Sequence, residues 1–191
     1  MDEIIVMKEG NAETWISGYK ERVGPGTVIV YGSNDRHGLV NVGDAPATYW
    51  VINPYTAATR TYPAEIFADP DKLASGVFLW EKMVPRATKT GVERAVVNIP
   101  TATLKNFECH VTTLNVGEVI APHRFQWESL LLVRDGLLAV TMNGKTEQIG
   151  PGSVVFWSSN DERSLKNAGS TPAIYVVLSF VTEKTPQPAA K

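Results

Sequence analysis

Residues 3 to 53 of this chain recur as residues 129 to 179, in a constant register of 126 positions and without a gap. Gly10 falls on Gly136, Gly18 on Gly144, and Gly24-Pro25-Gly26 on Gly150-Pro151-Gly152. Ser33-Asn34-Asp35 falls on Ser159-Asn160-Asp161, Asn41 on Asn167, Gly43 on Gly169, and Pro46-Ala47 on Pro172-Ala173. Turn residues that match in identity and spacing call for matched backbone geometry, so two copies of one supersecondary unit are expected. The copies differ where chemistry is expected. His37 is replaced by Arg163, and Glu3 by Ser129.

The repeated unit reads as strand and turn throughout. Short apolar runs at Ile4 to Met7 and Leu130 to Val133 stop at Lys-Glu-Gly and Arg-Asp-Gly. Polar turns follow at Ile16-Ser17-Gly18 and Met142-Asn143-Gly144, and an Asn-Gly pair is a strong hairpin signal. A Gly-Pro-Gly segment then enters the β-branched and aromatic runs Val28-Ile29-Val30-Tyr31 and Val154-Val155-Phe156-Trp157. Short strands with turns every eight to twelve residues predict an all-β sandwich or barrel. Four segments are expected: a partial repeat over 1–53, a connector over 54–76, a complete barrel over 77–182, and a disordered tail over 183–191. In the connector, Asp69 as N-cap, Pro70 as first helical residue and Gly76 as stop predict one or two helical turns.

Composition narrows the function classes. At 43% hydrophobic and 20% charged the chain reads as an ordinary globular protein, and a net charge of −2 without a Lys/Arg cluster gives no footprint for nucleic acid. A membrane span needs roughly 20 consecutive apolar residues, and no such run occurs. Met1-Asp2-Glu3 leads straight into strand-like sequence, so no signal peptide is expected. Cys109 is alone, which rules out an internal disulfide and fits a reducing, cytoplasmic compartment.

The order of these signals resembles the cupin superfamily, a jelly-roll β-barrel. The family's first motif reads G-x5-H-x-H-x3-4-E-x6-G. Gly117, His123 and Gly136 fit it, Phe125 stands at the second histidine, and Ser129 stands at the glutamate beside Glu128. The second motif reads G-x5-P-x-G-x2-H-x3-N. In the second copy Gly152 and Asn167 fit, while Ser158, Asn160 and Arg163 replace the proline, glycine and histidine. In the first copy Gly26, His37 and Asn41 fit, with Gly32 and Asn34 at the proline and glycine positions. The resemblance implies an all-β cupin jelly-roll barrel, one complete barrel plus a partial second repeat. It does not select a function, because cupins include dioxygenases, isomerases, decarboxylases, storage proteins and sugar-binding domains.

In cupins three histidines and a glutamate hold one divalent metal, such as iron, manganese, nickel or zinc, and they converge from neighbouring strands. The second copy keeps only His123 of the four. At about 4 Å and an effective dielectric of ~20, two like unit charges repel by about 4 kcal/mol, and a divalent ion doubles that against Arg163. No metal is therefore expected in the second barrel. In the first copy Glu3 and His37 match two ligand positions, and the missing His-x-His pair falls before Met1. Either the natural reading frame starts upstream, or the half-barrel is completed by another part of this chain or by a second copy in a strand-exchanged homodimer. The alternative for His37 is a loop histidine left from an ancestral site.

Arg163 is the sharpest candidate. Its planar two-pronged donor set suits carboxylate or phosphate. With His123, Ser129 and Gln126 nearby and Phe125 and Trp127 as a frame, it would hold a small acidic ligand. The alternative is a solvated arginine at the barrel rim, paired with Asp161 or Glu162. His110, in the strand Glu108 to Leu114, reads as structural, and Cys109 has the opposite parity, so the two cannot serve one site. Two function classes follow. One is a small-molecule-binding cupin of unknown ligand, without metal in the second barrel. The other is a metal-dependent cupin enzyme, a dioxygenase or sugar isomerase, acting through Glu3 and His37 with ligands completed by another segment or chain.

Overall fold

The computed structural model describes residues 1–61, 69 and 71–186. The first copy forms β1 (Glu3–Glu9), β2 (Ala12–Ile16), β3 (Tyr19–Val23), β4 (Val28–Tyr31), β5 (His37–Asn41) and β6 (Thr48–Ile52). A five-residue helix, α1 (Ala57–Thr61), and β7 (Gly76–Phe78) follow. The rest of the chain supplies β8 (Pro85–Thr88), β9 (Gly91–Ile99), β10 (Asn106–Leu114) and β11 (Val119–His123). The second copy then runs through β12 (Glu128–Asp135), β13 (Leu138–Met142), β14 (Lys145–Ile149), β15 (Val154–Trp157), β16 (Arg163–Asn167) and β17 (Ala173–Val181). Among the described residues no helix is long and apolar enough to cross a membrane.

The sequence register carries over into strand pairing. β1 pairs with β4 through Glu3↔Tyr31 and Ile5↔Ile29, and β12 pairs with β15 through Ser129↔Trp157 and Leu131↔Val155. Both copies slip by one residue at the same place, between Met7 and Glu9 and between Val133 and Asp135. The shared turns explain the match. Ser17-Gly18 and Asn143-Gly144 take positive φ at both positions (47° and 95°, 47° and 82°), the mirror-image turn that suits strand twist. At Gly10 and Gly136 a Cβ would lie 2.6 Å from the Pro46 carbonyl oxygen and 2.7 Å from the Ala173 Cα, so close backbone approach demands glycine as well.

The chain divides into two compact units: Met1–Met83 with Ile99–Asn106, and Val84–Asn98 with the chain from Phe107 onward. The first unit holds a four-stranded sheet, β6-β1-β4-β7, and a three-stranded sheet, β3-β2-β5. Its core gathers Ile5, Met7, Val23, Ile29, Tyr31 and Leu79. The second holds a six-stranded sheet, β15-β12-β17-β10-β9-β8, and a four-stranded sheet, β11-β16-β13-β14. Its core is built on Leu114, Leu131, Val133, Leu138 and Trp157. Each fully buried side chain of this size contributes about 1.5–3 kcal/mol.

Four stretches differ from the sequence expectation. Residues 77–83 join the first unit, because Val77 and Phe78 add β7 to the edge of β4 and Leu79 enters its core. Residues 99–106 join it too. Asp2, 2% exposed, accepts hydrogen bonds from the Ser33 amide and hydroxyl and from the hydroxyls of Thr101 and Thr103, which fastens that excursion to the start of β1. A later segment of the same chain thus covers part of the half-barrel. The connector helix lies at Ala57–Thr61, where Thr56 Oγ1 accepts from the Thr59 amide and Thr59 Oγ1 from the Thr56 amide. Of the expected helical turn at 69–76, Pro70 lies outside the described residues. Asp69 accepts from the Asp71 and Lys72 amides, a turn that competes with helix, and Gly76 begins a strand. In the expected disordered tail, Thr182 to Thr185 close a turn with Thr185 buried, while residues 187–191 lie outside the described residues.

Candidate functional site

β16 begins with Arg163, which pairs with His123 at the end of β11 and with Met142 on β13. The preceding turn is braced by Asp161, whose carboxylate accepts from the Asn143 side chain at 2.8 Å and the Ser158 amide at 2.8 Å. Those donors, Asn143 first, hold the Asp161 carboxyl below the usual range. Glu162 is taken by Arg124 at 3.1 Å. Arg163 is therefore neither solvated nor salt-bridged to its acidic neighbours, as the rim alternative required. It is 3% exposed, and its Nε has no hydrogen-bond partner.

Aromatic faces hold the cation instead. The guanidinium carbon lies 4.6 Å from the ring centroids of both Phe125 and Trp157. Phe125 stacks on Trp127 at 4.8 Å and meets the His123 ring edge-on at 5.0 Å. Such contacts stabilise a desolvated cation by about 2 kcal/mol each. Burial pulls the Arg163 group down to about 10, which still leaves it protonated at neutral pH.

Arg163, His123, Phe125 and Trp157 open on a cavity of about 340 Å³ within the second unit. Its apolar wall is Ile120, Leu165 and Val177; its polar side brings in Glu93, His110, Thr112 and Tyr175. The His123 Nδ1 donates to the Ala121 carbonyl at 2.8 Å, so Nε2 keeps its lone pair. Three sequence candidates do not line this cavity. Ser129 is fully buried, with its hydroxyl 3.5 Å from that of Ser179. Gln126 uses its backbone carbonyl to accept from the Ser159 hydroxyl. Trp127 lies behind Phe125.

His110, which the sequence reads as structural, lines this cavity. Glu108, His110 and Thr112 share one face of β10, by the alternation of a strand. The His110 Nδ1 donates to Glu108 Oε1 at 2.5 Å. On β17, next to β10 in the sheet, Tyr175 is 3% exposed. Burial pushes its hydroxyl up to about 12, against the lowering effect of Thr112. The Glu-x-His-x-Thr alternation was the available signal, and its weight depends on which face of β10 meets the cavity. Cys109 sits on the other face, and burial raises its thiol well above the ordinary value.

In the first unit Glu3 and His37 do come together. The His37 Nδ1 donates to the Asp35 carbonyl at 2.8 Å, its ring stacks on Tyr31 at 3.9 Å, and its Nε2 faces Glu3 Oε1 at 3.7 Å. Among the described residues no group of three or more His, Cys, Asp or Glu side chains could hold a metal ion. The second unit fits a metal worse. His123 is its sole family ligand, and a buried cation with an unpaired Nε stands where an imidazole would be.

A family model described as a cupin domain matches residues 1–53 and 110–179, more than half of the chain. No curated protein sequence matches. Among solved structures, the chain resembles AerE from Microcystis aeruginosa with a TM-score of 0.71 at 15% identity, covering 94% of this chain and 78% of that one. It resembles salicylate 1,2-dioxygenase from Pseudaminobacter salicylatoxidans with a TM-score of 0.69 at 17% identity, covering 93% and 64%. It resembles the oxalate decarboxylase formate complex from Lactobacillus farciminis with a TM-score of 0.70 at 12% identity, covering 94% and 70%. At these identities the likeness is one of fold.

Proposed function

The chain belongs to the cupin family, and we propose that its second unit binds a small organic acid without a metal, through Arg163. One observation carries this reading: a protonated guanidinium, 3% exposed, lines a cavity with an unpaired Nε and no carboxylate in salt-bridge range among the described residues. Leaving a buried charge unpaired is unfavourable, and an incoming carboxylate would supply the missing acceptors with two-pronged geometry. The cavity volume suits a ligand of metabolite size. Two of the fold neighbours, named for salicylate and oxalate, act on carboxylates.

The test pairs affinity with stability. Carboxylates of two to nine carbons are titrated by calorimetry against the full chain and against Arg163→Met. The expected result is at least about a hundredfold weaker binding in the variant, the loss of a charge-assisted pair. Stability should rise at the same time by about 1–3 kcal/mol, because an apolar side chain suits that site better than an unpaired cation. Unchanged affinity would remove the proposal.

A second reading concerns the first unit. Glu3 Oε1 and His37 Nε2 lie 3.7 Å apart with Nδ1 already bonded to Asp35, an oxygen and a nitrogen that could both ligate one cation. It rests on further donors from another segment or chain. Stoichiometric transition metal in the purified protein, lost in His37→Ala, would support a metal-dependent cupin enzyme there.

A further inference from the structure

The cavity holds more than an anion anchor. Its lining also carries an oriented base and a neutral acid on neighbouring strands, and binding alone gives neither of them a task. The His110 Nδ1 is committed to Glu108 at 2.5 Å, so in the neutral ring the proton sits on Nδ1 and the lone pair on Nε2. Glu108 also favours the imidazolium that forms once Nε2 takes a proton. Thr112 follows His110 on the same face of β10, and on the neighbouring β17 the Tyr175 hydroxyl keeps its proton throughout the neutral range. All four groups, Arg163, His110, Thr112 and Tyr175, line the same cavity.

We propose that this cavity catalyses keto–enol proton transfer in a small 2-oxo acid, with Arg163 holding the carboxylate, His110 as base at C3 and Tyr175 as proton donor to the carbonyl oxygen. The inference rests on the binding reading above and names its substrate class. A simple carboxylic acid has a C–H far too weakly acidic for imidazole, whereas a carbonyl next to the carboxylate lets the electron pair move onto oxygen. In the forward step His110 Nε2 takes the C3 proton and the C–H electron pair becomes the C2=C3 double bond. The carbonyl π pair goes to oxygen, which receives the Tyr175 proton. Imidazolium and tyrosinate then return to their resting forms by proton exchange through water, so the net change is keto to enol and needs no oxidant or metal. Glu108 acts as a positioning residue, through the imidazole.

The experiment is proton–deuterium exchange at C3 of 2-oxobutanoate in D2O, followed by NMR with the full-length chain, with calorimetric binding of 2-oxobutanoate measured in parallel. Wild type should exchange C3 at least about a hundred times faster than buffer alone, the usual range for a positioned acid–base pair. His110→Asn and His110→Gln should lose that exchange and keep the binding constant within about threefold. Glu108→Gln should slow exchange at least tenfold while binding is kept, a split that a purely structural role would not produce. Tyr175→Phe should slow it likewise, and Arg163→Met should lose binding and exchange together. Binding without exchange in wild type overturns this inference and leaves the organic-acid reading standing. No binding at all overturns both, and exchange that survives in folded His110→Asn and His110→Gln overturns the role of His110.

Discussion

His37 and Arg163 occupy one backbone position in the two copies, opposite Ile16 and Met142 on equivalent strands. In the first copy the imidazole lies flat on Tyr31 and faces a carboxylate; in the second a guanidinium sits between Phe125 and Trp157, and Tyr31 and Trp157 are themselves equivalent. The cover differs as well. β6 is an edge strand, so Tyr49 is 40% exposed, whereas its counterpart Tyr175 on β17 has β10 beside it and is 3% exposed. Most turn positions kept their residues, Ser17 against Asn143 being an exception, while the inward positions changed theirs. Backbone geometry here is written in glycines and asparagines at positive φ, and chemistry in three or four side chains that those turns do not constrain.

The sharpest way to break the equivalence is at the residue just before it begins. Asp2 and Glu128 correspond, yet Asp2 is buried with four hydrogen bonds and Glu128 is half-buried with no side-chain hydrogen bond. Asp2→Ala should destabilise the first unit by about 4 kcal/mol, since it strands several buried donors. Glu128→Ala should cost under about 1 kcal/mol. A chain with two units need not unfold in one step, so the measurement is amide hydrogen exchange. β1 and β4 should lose protection in Asp2→Ala while β12 and β15 keep theirs. Equal losses in both units would mean that 99–106 is not fastened through this carboxylate.

The next effect separates the two tyrosines of the β6/β17 position. The Tyr175 hydroxyl titrates at about 12 in the folded chain, above its ordinary value of about 10, so below pH 10 both states hold the proton and stability is unaffected. Between pH 10 and 12 the unfolded state releases its proton while the folded state keeps it. Stability then falls, by about 2–3 kcal/mol from this one group. Urea unfolding across that range should show the slope, and Tyr175→Phe should remove most of it. Tyr31, raised by burial, leaves a smaller remainder.

Much of this was legible in the sequence, and the division is physical. The constant register and the hairpin turns follow from residues whose φ is restricted, so local chemistry sufficed. The departures from the metal motif in the second copy were equally local, because Phe125, Ser129 and Arg163 stand at its ligand positions. What could not be read depended on contacts far along the chain. The cover over the first half-barrel comes from Asp2 meeting Thr101 and Thr103, about a hundred residues away. His110 looked structural because β10 has no counterpart in the repeat, so nothing in the sequence said which of its faces meets the cavity. Ser129 sits at a ligand position of the motif, yet its hydroxyl turns to Ser179 and away from the cavity.

The smallest expected difference is also the cleanest, because the local bonds are the same on both sides. Asn41 accepts from the Gly43 amide and donates to the Ala45 carbonyl; Asn167 accepts from the Gly169 amide and donates to the Thr171 carbonyl. Asn167 adds one bond, from Nδ2 to the Leu114 carbonyl at the end of β10, and is 1% exposed where Asn41 is open to solvent. Each alanine variant removes the shared bonds, so their costs cancel in the comparison. What remains is one buried hydrogen bond and the carbonyl it leaves unpaired, about 1–2 kcal/mol. Asn167→Ala should therefore lower the amide-exchange protection of β13 and β16 by that much more than Asn41→Ala lowers that of β2 and β5 at neutral pH. A difference near zero would mean that water takes over the Leu114 carbonyl, and that β10 covers the second copy less tightly than the buried side chains beside it imply.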